Sequence, residues 1–403
     1  MKRFLKAPMF SCVVVALFAV LLLKGGVAVA APMQSYGTHS IDAGAPPFKA
    51  LNAVVEVSAR DIWAVGTSFN LSNPVEQTLI EHWDGTAWSI VASPNPTTTN
   101  DTILNGVAEV SANNVWAVGG SPSSTGTLVE HWNGKQWSIV PSANPAGSTG
   151  GFLDAVTEVS ARDIWAVGTS NESSGSGQTL TEHWNGRNWT LVPSPHPAGA
   201  TASFLNAVTA ISPRDIWAVG DSFSSSSGTF SEQSLIEHWN GKQWSIVASP
   251  NPTGSSDTVL NGVAEVSAHE IWAVGSSSGQ TLTEHWDGKQ WSIVPSPNQS
   301  SRDLFKGVTE ISAHNVWAVG GYFITVGDTA IEQTLIEHWD GTRWSIVPSP
   351  NAPGSTNNSL NGVEEVSTRS IWTVGVFFTS TSGGLPLIEH WNGVRWSIVP
   401  GAD

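Results

Sequence analysis

The stretch Leu104–Gly120, LNGVAEVSANNVWAVGG, followed after a Ser/Gly segment by Thr127–Pro145, TLVEHWNGKQWSIVPSANP, decides the fold of this 403-residue chain, because it recurs seven times between Leu51 and Pro400. Each copy carries three tryptophans. The first is Trp63, Trp116, Trp165, Trp217, Trp272, Trp317 or Trp372; the second is Trp83, Trp132, Trp184, Trp239, Trp286, Trp339 or Trp391. The third is Trp88, Trp137, Trp189, Trp244, Trp291, Trp344 or Trp396, and these positions account for all 21 tryptophans. From Trp63 to Trp372 is 309 residues over six intervals, a mean period of 51.5. That period belongs to four-stranded propeller blades and not to helical solenoids.

Each copy reads as four short strands. LNGVAEVS is apolar and β-branched with polar interruptions, and a Ser/Asx turn such as SARD or SANN separates it from DIWAVG. A Gly/Ser/Thr loop leads to TLIEHW. An Asp-Gly or Asn-Gly pair (Asp84-Gly85, Asn133-Gly134, Asn185-Gly186) then favours the primed turn of a tight hairpin into WSIVPSP, where proline ends the strand. Seven such sheets arranged radially predict an all-β fold, a seven-bladed β-propeller of four-stranded antiparallel blades.

A strand ending in Val-Gly-Gly (Val118-Gly119-Gly120, Val319-Gly320-Gly321), a variable loop, an aromatic before a turn and a tryptophan a few residues later together resemble the kelch-type repeat. The Trp-x-Gly hairpins are also similar to those of lectin propellers, which would imply sugar binding between blades or in blade pockets. Two enzymatic versions of the plan do not fit. Galactose oxidase resembles the chain in blade layout, but the resemblance implies a copper site built on tyrosines, one cross-linked to a cysteine; only Tyr36 and Tyr322 are present, and the single cysteine is Cys12. Sialidase propellers imply a converging arginine cluster, whereas Arg60, Arg162, Arg214 and Arg369 fall at equivalent first-turn positions of different copies.

The N-terminus reads separately. A basic Met1–Lys6, an apolar Ala7–Leu23 and the small-residue pattern Ala28-Val29-Ala30 form a secretory signal over residues 1–31, or an uncleaved anchor. Residues 32–47 are a linker or N-terminal clasp, and 48–403 the propeller. Past residue 32 the chain carries 13 basic against 33 acidic residues, a net −20, which excludes nucleic acid and disfavours anionic membranes. The expected address is secreted or cell-surface, with membrane contact only through an uncleaved anchor, and the expected state is a monomer. With no cysteine past Cys12, disulfides and thiolate chemistry drop out.

Three constellations carry candidate chemistry. The Glu-His pair before each second tryptophan (Glu81-His82 to Glu389-His390) occurs in all seven copies. Adjacent strand residues point to opposite faces, so the pair reads as a structural network between blades and not as an acid/base site. Glu56, Glu109, Glu158, Glu265, Glu310 and Glu365 match on the innermost strand, with Ala210 in the fourth copy; facing a channel, they would repel one another or recruit a cation such as calcium. No other cofactor is expected. Loops after the second and fourth strands share one face and carry the length variation. Those of the first, fourth, sixth and seventh copies bear Phe69, Phe223, Phe230, Tyr322, Phe323, Phe377 and Phe378, the ligand-binding candidates. These loops also hold Asp221, Asp328 and Glu332. The expected function is a non-catalytic binding propeller that takes a glycan on this face. An extracellular protein partner, as for an envelope scaffold, is the alternative, and a hydrolase or lyase the third reading.

Overall fold

The computed structural model describes residues 48–402 apart from 71–72, 97–100, 122–125, 149, 172–176, 227–228 and 381–382. The signal at 1–31 and the linker at 32–47 lie outside the described residues. Twenty-eight strands form seven blades. Blade 1 is β1 (Phe48–Ser58), β2 (Asp61–Asn70), β3 (Asn73–Trp83) and β4 (Trp88–Ile90). Blade 2 is β5 (Ile103–Ser111), β6 (Asn114–Ser121), β7 (Gly126–Trp132) and β8 (Trp137–Ile139); blade 3 is β9 (Gly150–Ser160), β10 (Asp163–Asn171), β11 (Gly177–Trp184) and β12 (Trp189–Leu191). Blade 4 is β13 (Ala202–Ser212), β14 (Asp215–Ser226), β15 (Thr229–Trp239) and β16 (Trp244–Val247). Blade 5 is β17 (Thr258–Ser267), β18 (Glu270–Ser277), β19 (Gln280–Trp286) and β20 (Trp291–Ile293). Blade 6 is β21 (Asp303–Ser312), β22 (Asn315–Val326), β23 (Thr329–Trp339) and β24 (Trp344–Ile346); blade 7 is β25 (Ser355–Ser367), β26 (Ser370–Thr379), β27 (Gly384–Trp391) and β28 (Trp396–Ile398). Every blade is an antiparallel meander in sequence order. Blades 2 and 3 are further joined by pairing of Gly120 with Phe152 and Ser121 with Gly151.

The tryptophans cement the blades to one another. The first tryptophan of each blade is buried and inserts between the two outer tryptophans of the next: Trp63 lies 4.9 Å from Trp132 and 5.4 Å from Trp137. The same contacts repeat around the molecule until Trp372 meets Trp83 at 5.2 Å and Trp88 at 5.7 Å. The ring thus closes by packing of blade 7 on blade 1, with Leu51, Val54 and Trp88 sharing one core with Trp372, Val374 and Ile388. The predicted clasp lies outside the described residues; Phe48, which opens β1, has its ring 6.1 Å from Phe378.

Each innermost strand is bulged in its middle and again before the first turn, where Val57 is skipped between Glu56 and Ser58. Leu51 pairs with Gly66 and Ala53 with Val65, leaving Asn52 unpaired, and the equivalent residue is skipped in all seven blades. A bulge re-aims the extra side chain. The glycine facing it has no room for a side chain: a Cβ on Gly275 would sit 2.0 Å from the Val259 carbonyl oxygen.

Candidate functional site

The Glu-His pairs split to the two faces of their strand. All seven glutamates are buried at the boundary with the preceding blade. There Ser93 Oγ donates to both Glu130 oxygens at 2.9 and 3.1 Å, Ser194, Ser249 and Ser349 donate likewise to Glu237, Glu284 and Glu389, and Ser296 donates to Glu337 Oε2 alone at 2.8 Å. Glu182 accepts from Thr127 Oγ1 and Ala143 N instead, and Glu81 from Ala402 N at 3.1 Å. Burial pushes Glu130, Glu237, Glu337 and Glu389 up to about 8 and Glu182 and Glu284 to about 7. The histidines turn the other way and bond the residue that opens the second strand: His82 Nε2 lies 2.7 Å from Asp61 Oδ1, and His285 Nε2 2.9 Å from Glu270 Oε1. Each ring also lies against the first tryptophan, as His82 does on Trp63 at 4.3 Å. Two separate structural networks result, one facing each neighbouring blade.

The bulge residues belt the axial channel, whose cavity of ≈ 170 Å³ is lined by the inner strands of all seven blades. Asn52 Nδ2 donates to Leu104 O at 2.8 Å, Asn261 Nδ2 to Phe305 O at 2.7 Å, and Asn361 Nδ2 to Leu51 O at 2.9 Å, closing the circle. Two blades break the asparagine pattern. Asp154, pushed up to about 7 by burial, accepts from Asn105 Nδ2 at 3.1 Å. Lys306 lies 3.3 Å from Asn361 Oδ1 and 3.5 Å from Glu332 Oε1. The sequence reading passed over this belt. Its signal was the residue after the conserved-looking Leu or Phe of each copy: Asn, Asn, Asp, Asn, Asn, Lys, Asn.

The inner glutamates sit toward the short-turn end of the same strands. Burial, reinforced by mutual repulsion, pushes Glu56, Glu158 and Glu265 up to about 7 and Glu310 to about 10, and it raises Glu109 and Glu365. Among the described residues no three His, Cys, Asp or Glu side chains are grouped so as to hold one metal ion. The off-repeat His269 and His314 lie over Gly288 and Gly341 of the Asp-Gly turns, as Arg60 lies over Gly85. At φ +92 for Gly85 only glycine is at ease, and a Cβ there would come within 2.7 Å of Arg60 Cγ.

On the variable-loop face, blades 4 and 6 dominate. β14 runs nine residues past Trp217 and β22 nine past Trp317, whereas β18 runs five past Trp272. Four additional residues at about 3.3 Å each extend the two hairpins roughly 13 Å beyond that of blade 5. Their upper parts carry Phe230, Ile324 and Val326, which are 44%, 39% and 56% exposed. Between them Ser278, at φ 50, turns the low hairpin. Ser255 Oγ gathers the hydroxyls of Thr258, Ser277 and Ser278 within 2.8–3.0 Å, beside exposed Asp257.

The other candidate aromatics pack inward. Phe69 is buried, Phe223 meets Phe204 edge-on at 5.7 Å, and Tyr322 and Phe377 rest on blade cores. Phe378 faces Phe48, and Phe323 lies 4.4 Å beneath the Arg302 guanidinium. The acidic groups of this face are largely enclosed. Glu232 is pushed up by burial and by the charges of Asp221 and Asp257, and Asp221 is itself buried. In blade 6 the equivalent Glu332 accepts from Ser359 Oγ at 2.8 Å beside Lys306. Asp328, at the tip of the β22–β23 hairpin, is exposed.

No protein-family model matches the sequence, and no curated protein matches it. Solved structures do. A GH74 xyloglucanase from Xanthomonas campestris superposes with a TM-score of 0.54 at 11% identity, covering 86% of this chain and 54% of that one, so the chain spans about half of the enzyme. A polysaccharide lyase of family PL25, an ulvan lyase, superposes with a TM-score of 0.51 at 10% identity, covering 86% of this chain and 93% of that one. The Aleuria aurantia fucose lectin, a six-bladed propeller, follows with a TM-score of 0.43 at 12% identity, covering 75% of this chain and 95% of that one. At these identities the likeness is one of fold: the chain is a β-propeller, seven four-stranded blades around a closed ring.

Proposed function

We propose that this protein is a secreted or cell-surface, non-catalytic propeller that binds carbohydrate on its variable-loop face, in the saddle over blade 5. The observation that carries the reading is the pair of tall hairpins of blades 4 and 6 standing over the low hairpin of blade 5, where exposed Ser278 and half-buried Ser255 cap the buried hydroxyls of Thr258 and Ser277, with Phe230 exposed on one wall. A sugar offers an apolar C–H face and a rim of hydroxyls, which an aromatic ring and short hydroxyl side chains complement. Against catalysis, the acidic groups with the most displaced proton affinities on this face, Glu232 and Asp221, are spent on one another and on Asn206, which donates to Asp221 Oδ1 at 3.2 Å. Exposed Ile324 and Val326 favour a second reading, in which an extracellular protein docks on the same hairpins.

A broad glycan array probed with the purified protein and with Phe230→Ala and Asp257→Ala variants separates the two. Selective glycan binding that weakens tenfold or more in folded variants supports the saddle. Absence of any glycan above background, with or without calcium, removes the carbohydrate reading in favour of the protein scaffold.

A further inference from the structure

A second cavity lies away from both the channel and the loop face. At the outer rim, where blade 4 hands over to blade 5, a cleft of ≈ 290 Å³ is lined by Val247, Ala248 and Pro250 of the linker and by Trp286, Lys289 and Gln290 of the next blade. That size is near the lower end of small-molecule sites, about 300–1,000 Å³.

Its parts are held rigidly. Trp286 is half-buried, packs against Trp217 at 4.9 Å and donates its Nε1–H to Ala268 O at 3.2 Å, so the indole is a fixed platform. Asp287 Oδ1 accepts from Lys289 N at 2.8 Å and Gln290 N at 2.9 Å, which sets the turn while leaving both side chains exposed. Below, Ser249 ties the linker to buried Glu284 at 2.9 Å.

The linker sequence explains why this boundary is open. Five of the seven blade-ending linkers place proline after the valine (Pro141, Pro193, Pro295, Pro348, Pro400), whereas Ala92 and Ala248 stand at that position in blades 1 and 4. Proline adds two ring carbons to the cleft wall. Both alanine linkers read Val-Ala-Ser-Pro, and both face a blade whose turn reads Gly-Lys-Gln-Trp (Gly134–Trp137 and Gly288–Trp291). Chemically matched boundaries therefore occur at blades 1–2 and 4–5.

We propose that the blade 4–5 cleft and the boundary of matching sequence at blades 1–2 each bind one pyranose ring, its C–H face on Trp286 or Trp132 and its hydroxyls taken by the Lys-Gln pair of the turn. An aromatic platform beside N–H donors and an amide acceptor suits a sugar better than an extended peptide, which needs a longer groove. The proposal is independent of the loop-face saddle, because it uses the outer rim and none of the same residues.

The test is saturation-transfer NMR of the purified protein with the methyl glycosides of glucose, galactose, mannose and N-acetylglucosamine and with glucuronate, followed by titration to stoichiometry. The expected result is binding at two sites per chain for at least one probe, one site in Ala248→Pro, and a tenfold or greater loss in the Ala92→Pro/Ala248→Pro double variant. Both substitutions copy linkers the protein already uses, and melting curves check that the variants fold. Lys289→Ala/Gln290→Ala, at an exposed turn, should weaken the blade 4–5 site alone, and Phe230→Ala should leave both sites intact. No binding of any probe, binding unchanged in the double variant, or capture of a proline-rich peptide in place of every glycoside would overturn it.

Discussion

At the level of single residues, the seven inter-blade glutamates are a set of displaced carboxyls repeated in every blade. A carboxyl taken out of water keeps its proton. Glu130, Glu237, Glu337 and Glu389 titrate at about 8 in the fold against an ordinary 4.5, so between those values the folded chain holds more protons than the unfolded one. Their contribution is fully present below about pH 4.5 and is lost as pH climbs through 8; Glu56, Glu158 and Glu265, at about 7, act with the same sign. The melting temperature should therefore rise from pH 8 to pH 5 in calorimetry, and Glu130→Gln, which cannot ionise, should flatten the slope. Asp84 and Asp340, lowered to about 2 by their turn hydrogen bonds, pull the other way only in strong acid. Glu81 lacks the serine its six counterparts or their neighbours supply: Gly401 stands at that position, with its Cβ direction 3.5 Å from Glu81 Oε2. Gly401→Ser should add the missing donor and stabilise by about 0.5–1.5 kcal/mol, read as an upward shift of the melting point.

Among the strands and hairpins, stability and recognition separate. The inner three strands of each blade hold the bulge and most of the buried apolar residues, the outermost strand adding its buried tryptophan, while the tops of the β14–β15 and β22–β23 hairpins expose apolar side chains. Replacing residues 224–231 by the Ser-Gly that turns blade 5 should leave the melting temperature within a few degrees, because the removed segment lies beyond the blade core. Glycan retention on the array should fall at least tenfold if the saddle is the site. Retained binding with intact folding would move the site elsewhere. Four-strand blades and their turns were legible from Asn-Gly pairs, alternation and period. Hairpin height was only half legible: the long loops were visible in the sequence, but strand pairing up to Ser226–Thr229 and Val326–Thr329 was not, since Ser/Thr-rich segments carry no marked alternation. The candidate aromatics show the same limit. Phe230 and Phe223 look alike in sequence, yet one is exposed and the other packs on Phe204, a difference of height: both lie on one face of the β14–β15 hairpin, but the inner strand reaches only to Phe223, opposite Ala202.

For the whole molecule, the question is closure. Among the described residues no sheet is completed from the opposite terminus: β1 to β4 and β25 to β28 are each continuous in sequence. The ring is held by the Trp372 contacts, by Asn361 on Leu51 O, and by the last described residues, where Ala402 N reaches Glu81 and Lys49 Nζ reaches Ala402 O at 3.3 Å. Ending the chain at Pro400 should cost roughly 1–3 kcal/mol by leaving buried Glu81 without its donor. Chemical denaturation should show this as a lower midpoint at unchanged slope. An unchanged midpoint would mean that tryptophan packing alone carries closure.

The sequence by itself determined the architecture, because a period of 51.5 residues, three tryptophans per copy and an Asx-Gly turn in each are local signals repeated seven times. It also placed the Glu-His pairs on opposite faces, since strand alternation is a property of the backbone. Only the tertiary structure decided that the residue after each inner leucine or phenylalanine becomes a hydrogen-bonded belt around a channel, and that the rim opens at the blade 4–5 boundary. A bulge register and a cleft between blades depend on the relative positions of residues far apart in the chain; the sequence repeats the residues involved, but the contacts they make across blade boundaries are set only by packing.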